Sequence, residues 1–157
     1  MELVIAVDDP RLEDVGALLG THLAFSRSAT PPEFSFALDV EQLVRPDVIF
    51  FSARQAGVVV GVAALKRLDD FHGELKSMHT QERERGRGVG TAMVEHVLAF
   101  ARRDGYRRVS LETGSTAEFV AARALYIKLG FRPCEPFGDY TASAYNTFLT
   151  ISLGASS

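Results

Sequence analysis

Seven residues in the middle of the chain mark a change of period, and they limit the fold more than any other stretch. Arg85-Gly86-Arg87-Gly88-Val89-Gly90-Thr91 follows a segment that alternates like a strand and precedes apolar residues at helical spacing. After Gly88, the residues Met93, Val94, Val97, Leu98 and Ala101 recur at three- and four-residue steps, and Gly105 closes the helix. Glycines at a strand-to-helix turn let the backbone approach a ligand and turn its N–H groups outward. A helix beginning there adds the positive end of its dipole, so the turn suits a phosphate, with Arg85 and Arg87 supplying charge. The competing reading is a flexible basic turn. The loop is not a Walker loop, because no Gly-Lys-Ser/Thr ends it. It is not a dinucleotide fingerprint either, because Thr91 stands where the third glycine is required.

Around this turn the pattern is that of a mixed α/β domain. Asp8-Asp9-Pro10 looks like a helix start, with Val15, Leu18 and Leu19 on one face after it. Thr30 to Glu33 is a loop with two prolines, and Leu38 to Val44 a short helix stopped by Pro46. Val48 to Ala53, Val58 to Leu68 and Gly73 to Thr80 form successive strands, with Asp70-Phe71-His72 as the last bend. Val109 to Glu112 is a further strand. Ser115 and Glu118 make a capping-box signature before a helix carrying Ala122, Leu125, Tyr126 and Leu129. Phe131 to Cys134 and Tyr145 to Leu153 complete the order βααβββαβαββ.

A chain of 157 residues is one domain, placed at residues 1–153 with a short tail at 154–157. A domain of this length buries roughly 68–70% of its unfolded surface, so its core needs no staples. A net charge of −3 argues against nucleic acid as a partner. The single cysteine, Cys134, excludes an intrachain disulfide and a cysteine-cluster metal site. His22 and His96 lack metal-ligand partners at useful spacing, so no metal is expected. No basic segment precedes the first apolar residues, and the longest apolar run, Ala56 to Leu65, is too short to cross a bilayer. The expectation is a cytoplasmic protein with no membrane partner.

Arg85-x-x-Gly88-x-Gly90 resembles the Q/R-x-x-G-x-G/A acetyl-CoA loop of the GNAT N-acetyltransferases. Leu125-Tyr126-Ile127-Lys128-Leu129-Gly130-Phe131 is similar to that family's L-Y-x-x-x-G-F segment. The strand and helix order agrees, so the likeness spans nearly the whole chain. Gly73 to Met78, Leu111 to Ser115 and Pro136 to Tyr140 further resemble a less-characterised bacterial branch. The resemblance implies the acyl-CoA N-acyltransferase fold: a mixed, mostly antiparallel sheet flanked by helices, its fourth and fifth strands splayed apart. It also implies acetyl-CoA as co-substrate, a small amine (or a peptide amine) as acceptor, and no bar to a homodimer. The family's asparagine near the start of the tyrosine-bearing helix has no counterpart in Glu118-Phe119-Val120, and its usual proline before the loop arginine is Glu82.

By the same resemblance, Met78, His79 and Thr80 lie along the cofactor's pantetheine arm, with the Met78 N–H facing the thioester oxygen. Arg85, Gly86, Arg87, Gly88, Val89, Gly90 and Thr91 hold the pyrophosphate, and Phe119 and Arg123 complete the cofactor set. Met78 is equally suited to plain core filling. Acetyl transfer to an amine needs an oxyanion stabilised, an amine deprotonated and a thiolate protonated. Tyr126 is the candidate acid, against the alternative of a packed helix tyrosine. For the base, His72, Glu74 and Lys76 share one parity on their strand. Glu74 ranks first, then Glu112 and His72, each also readable as a solvated or salt-bridged group, and a water chain would serve as well. Lys76 is the fixed cation of that strand, pairing with Glu74 or with an acid group on the acceptor. His79, of opposite parity to Glu74, is assigned to packing or surface. Pro136 to Tyr140 is either a lid or a hydrophobic anchor. A non-catalytic acyl-CoA sensor is the second functional reading.

Overall fold

The computed structural model describes residues 2–154, so residues 155–157 of the expected tail, like residue 1, lie outside the described residues. Seven strands form one sheet: β1 (Leu3–Val7), β2 (Val48–Gln55), β3 (Val58–Arg67), β4 (His72–Thr80), β5 (Arg108–Gly114), β6 (Arg132–Pro133) and β7 (Asn146–Ser152). Their spatial order is β1-β2-β3-β4-β5-β7-β6. All neighbours are antiparallel except β4 and β5, which are parallel. The β2–β3 hairpin closes through Ala56 and Gly57, both at positive φ, the two-residue turn whose twist suits paired strands.

Central strands alternate between two cores. Phe51, Ala63 and Leu65 face α3 (Val89–Arg103), which buries Met93, Val94, Val97, Leu98 and Ala101. Tyr126 of α4 (Val120–Lys128) joins the same core. Phe50, Val62 and Ala64 face the other way, toward Val15, Leu18 and Leu19 of α1 (Glu13–Ala29) and Leu43 of α2 (Val40–Leu43). The layers are therefore α1 and α2, the sheet, then α3 and α4.

Local chemistry moves several boundaries. Helix α1 begins at Glu13 rather than near Pro10, because the Asp9 carboxylate accepts the Arg11 backbone N–H and holds a turn there. Asp39 and Gln42 form a reciprocal capping box that starts α2. The box expected from Ser115 and Glu118 is not formed. The Ser115 hydroxyl instead pairs with Thr147 across the sheet, at 2.7 Å, and a one-turn helix at Ala117–Phe119 leads into α4.

The feature that matters most for the site is where β4 and β5 part. Their pairing runs only over His72↔Arg108, Gly73↔Val109 and Glu74↔Ser110. Both strands then continue without pairing to each other, leaving a wedge in mid-sheet. Just past the split, β4 carries a bulge. Ala64 pairs with Lys76 and Val62 with His79, so Ser77 and Met78 together oppose Ala63, and Ser77 takes φ +57°.

Candidate active site

The wedge opens into a cavity of about 420 Å³ reaching from the turn before α3 to the loop after α1. The turn itself is built for close approach. Gly86 and Gly88 sit at φ +79° and +85°, and a Cβ on either would meet nothing within 4 Å, so their open side faces space that a ligand can fill. Gly88 is the residue from which α3 starts. A Cβ on Gly90 would stand 3.1 Å from Leu125, so glycine there lets α3 and α4 draw together. Arg85 donates from Nε to the Thr80 carbonyl at 3.2 Å, which ties the turn to the end of β4.

Of the residues expected at the cofactor, Met78, His79, Thr80, Arg85, Gly86, Gly88, Val89, Gly90, Thr91 and Phe119 line this cavity. Arg87 and Arg123 do not. The Arg87 side chain is 70% exposed and lies 3.5 Å from Glu84. Arg123 turns inward and donates to the carbonyls of Gly114 and Thr116, at 2.7 and 2.9 Å, so it braces the loop that carries Phe119. An anion placed at the turn would meet the positive end of the α3 dipole and Arg85, the chemistry a pyrophosphate requires.

The bulge corrects the parity assigned to His79. One extra residue in β4 rotates everything after it, so His79 shares a face with Lys76 and packs against α1. Its Nδ1 lies 3.1 Å from Nδ1 of His22, one ring donating its N–H to the other's lone pair. Burial is the main cause that lowers both imidazoles to about 4, and each also feels a cation or the other ring. Both are therefore neutral in the fold while an unfolded chain would protonate them near 6.5. The unfolded state then binds more protons between pH 6.5 and 4, so stability should fall as pH drops through that window. Urea unfolding at pH 7 and pH 5 should show this loss, and His22→Gln should make it shallower.

Tyr126 is buried, lines the cavity, and makes no side-chain hydrogen bond among the described residues. Burial, helped by the Glu112 charge, raises its hydroxyl above the ordinary phenol value, so it stays protonated. Of the three candidate bases, only Glu112 lines the cavity. Asn146 donates to Glu112 Oε2 at 2.6 Å and to the Phe34 carbonyl at 3.1 Å, holding carboxylate and loop together. Burial is the leading cause that raises the Glu112 carboxyl; the Asn146 bond and Lys76 oppose it.

Glu74, ranked first from the sequence, lies outside the cavity lining and is 2% exposed. Lys76 and Tyr140 both donate to its Oε2, at 3.1 and 2.5 Å. His72 is likewise outside, on the paired part of β4, where its Nε2 meets the Ser110 hydroxyl at 2.6 Å. The segment Pro136 to Tyr140 does not cover the cavity. Phe137 and Tyr140 pack on each other and on Phe148, which anchors the loop. Sequence reasoning missed Asn146, which sits at the start of β7 among polar residues with no local signal, and His22, whose partner is on another element.

Among the described residues, no group of three or more His, Cys, Asp or Glu side chains is placed to hold a metal ion, and no helix is long and apolar enough to cross a membrane.

Residues 19–131 match the family model described as Acetyltransferase (GNAT) family. The chain is 43% identical to the uncharacterized N-acetyltransferase YedL of Escherichia coli (strain K12), over 95% of this chain and 94% of that one. It is 41% identical to the uncharacterized N-acetyltransferase YsnE of Bacillus subtilis (strain 168), over 95% and 99% respectively. Among solved structures it resembles a candidate acyl-CoA N-acyltransferase from Klebsiella pneumoniae, with TM-score 0.83, 25% identity, and 97% and 98% of the two chains covered.

Proposed function

The chain belongs to the GNAT family of acetyltransferases, and from that premise we propose that it moves the acetyl group of acetyl-CoA directly onto a primary amine of a small molecule within one ternary complex. The observation that carries this reading is the mid-sheet wedge, which brings the glycine turn, Glu112 and Tyr126 to one cavity. The turn holds the pyrophosphate, and the free edge of β4 receives the pantetheine arm as an added strand would be received.

Glu112 takes the base role. Its free Oε1 accepts a proton from the acceptor ammonium, directly or through one water, and the neutral nitrogen attacks the thioester carbon. A C–N bond forms, and the oxygen gathers negative charge opposite the backbone N–H of Met78. As the C–S bond breaks, the nitrogen passes its second proton to water, Tyr126 gives its own to the leaving thiolate, and Glu112 later returns the first proton to solvent. Solvent then reprotonates the phenolate. The location proposed with this activity is the cytoplasm, with no resident metal and no nucleic-acid or membrane partner; a homodimer is compatible with it.

The base assignment sets the pH profile. A carboxylate must be ionised to accept a proton, so kcat/KM falls as pH drops through the Glu112 pKa, and burial places that limb above the ordinary carboxylate range. Glu112→Gln should lose this limb, leaving only the rise from the acceptor amine's own ionisation, and should lower kcat/KM by roughly 10²-fold or more. An unchanged acid limb in Glu112→Gln would remove Glu112 from the base role.

A further inference from the structure

Lys76 is a buried cation with a donor to spare. Its side chain is only 8% exposed. Its ammonium donates to Glu74 Oε2 at 3.1 Å and to the Tyr140 hydroxyl at 2.7 Å, and an ammonium has three hydrogens. Tyr140 passes its own hydrogen to the same Glu74 oxygen, at 2.5 Å. The three groups thus form a closed triangle on Glu74 Oε2, in which the Lys76 ammonium uses two of its three hydrogens. Lys76 also lines the cavity, while its two partners stand behind it. Such a buried pair adds little to stability by itself. What it supplies is a cation fixed in place, with one N–H left for the cavity.

The surroundings restrict what that N–H can meet. Arg85, the other cation lining the cavity, is committed to the Thr80 carbonyl at the turn. Lys76 therefore sets the charge of the acceptor end, with Glu112 as the carboxylate of that end. The Ser26 and Ser35 hydroxyls bond each other at 2.9 Å along the same wall, and Phe34 and Phe36 complete it. An acceptor with a second ammonium would face a fixed like charge. A neutral amine would leave the buried N–H unpaired.

We propose that Lys76, held by Glu74 and Tyr140, is a carboxylate subsite, and that the acceptors are small amines that also carry an acid group, free amino acids in particular. This rests on the transferase reading above and narrows it. Amine and acid then occupy opposite charges of one small site, the amine at Glu112 and the acid at Lys76. Lys76 is the specificity-determining residue; Tyr140 and Glu74 position it.

The test compares acidic and aromatic free amino acids with their carboxamides and with the decarboxylated amines, using acetyl-CoA-dependent thiol release and product mass. The acids should exceed their neutral counterparts in kcat/KM by about 10–100-fold, the range for losing one hydrogen bond to a charged group. Lys76→Met should collapse that ratio to near one, mainly through KM. Because this change leaves Glu74 buried without its cation, the Lys76→Met/Glu74→Gln double variant, which keeps an acceptor for Tyr140, is measured beside it and should collapse the ratio equally. Carboxamides or polyamines used as well as the acids, or an unchanged ratio in the folded double variant, would overturn the subsite and leave the transferase reading standing. Failure of every amine to release thiol would overturn both.

Discussion

Tyr126→Phe is expected to lower acetyl transfer by roughly 10²–10⁴-fold, the usual contribution of a general acid, with acetyl-CoA affinity nearly unchanged. The substitution removes one hydroxyl and keeps a ring that packs edge-on against Phe131 at 5.7 Å between centroids. The hydroxyl makes no side-chain bond among the described residues, so losing it costs the fold little. A buried phenol whose proton is held tightly is a poor acid toward water. In the proposed step it donates to a thiolate formed beside it, whose own basicity the same burial raises. Turnover within a factor of about two of wild type would return Tyr126 to core packing.

The second large effect belongs to the turn. Gly88→Val should weaken acetyl-CoA binding strongly for two separable reasons. Valine at φ +85° is strained wherever it sits, by about 1–3 kcal/mol. Its branched side chain would also fill the open side of the loop, where the proposed pyrophosphate site needs access to backbone N–H groups. The strain lowers stability by a margin that a domain of this size survives. Gly105→Val supplies the control, since Gly105 lies at φ +89° beyond the far end of α3 with equally open space. It should show comparable destabilisation with normal cofactor affinity. Calorimetric titration giving unchanged CoA affinity in folded Gly88→Val would dissociate the turn from the pyrophosphate.

Which parts were legible in the sequence follows from how local their causes are. The turn could be read because its glycines, arginines and following helical period lie within one short stretch, and the structure keeps Gly88 as the left-handed residue that opens α3. Tyr126 and Phe131 were legible for the same reason. Parity failed where it depends on an uninterrupted strand: Ser77, a serine at positive φ, carries no glycine to announce the bulge that turns His79 toward α1. The different placement of Glu74 and Glu112 was not legible for another reason. Both are carboxylates on strands flanking the split, and only tertiary contacts distinguish them. Tyr140, sixty-six positions away from Glu74, closes off one. Asn146 leaves an oxygen of the other free toward the cavity. Helix starts moved by about a turn where a short polar side chain chose another partner, as Asp9 and Ser115 did.

The measurement closest to the central claim is a single-turnover experiment with acetyl-CoA and a panel of amines, following free thiol and the mass of both acceptor and protein. Direct transfer predicts thiol release only when an acceptor is present, one acetylated amine per thiol, and no acetylated protein at any time. Thiol released without acceptor while the protein gains an acetyl group would contradict the ternary complex. Acetyl-CoA bound tightly with no thiol released for any amine would make the protein a sensor of the cofactor rather than an enzyme that uses it.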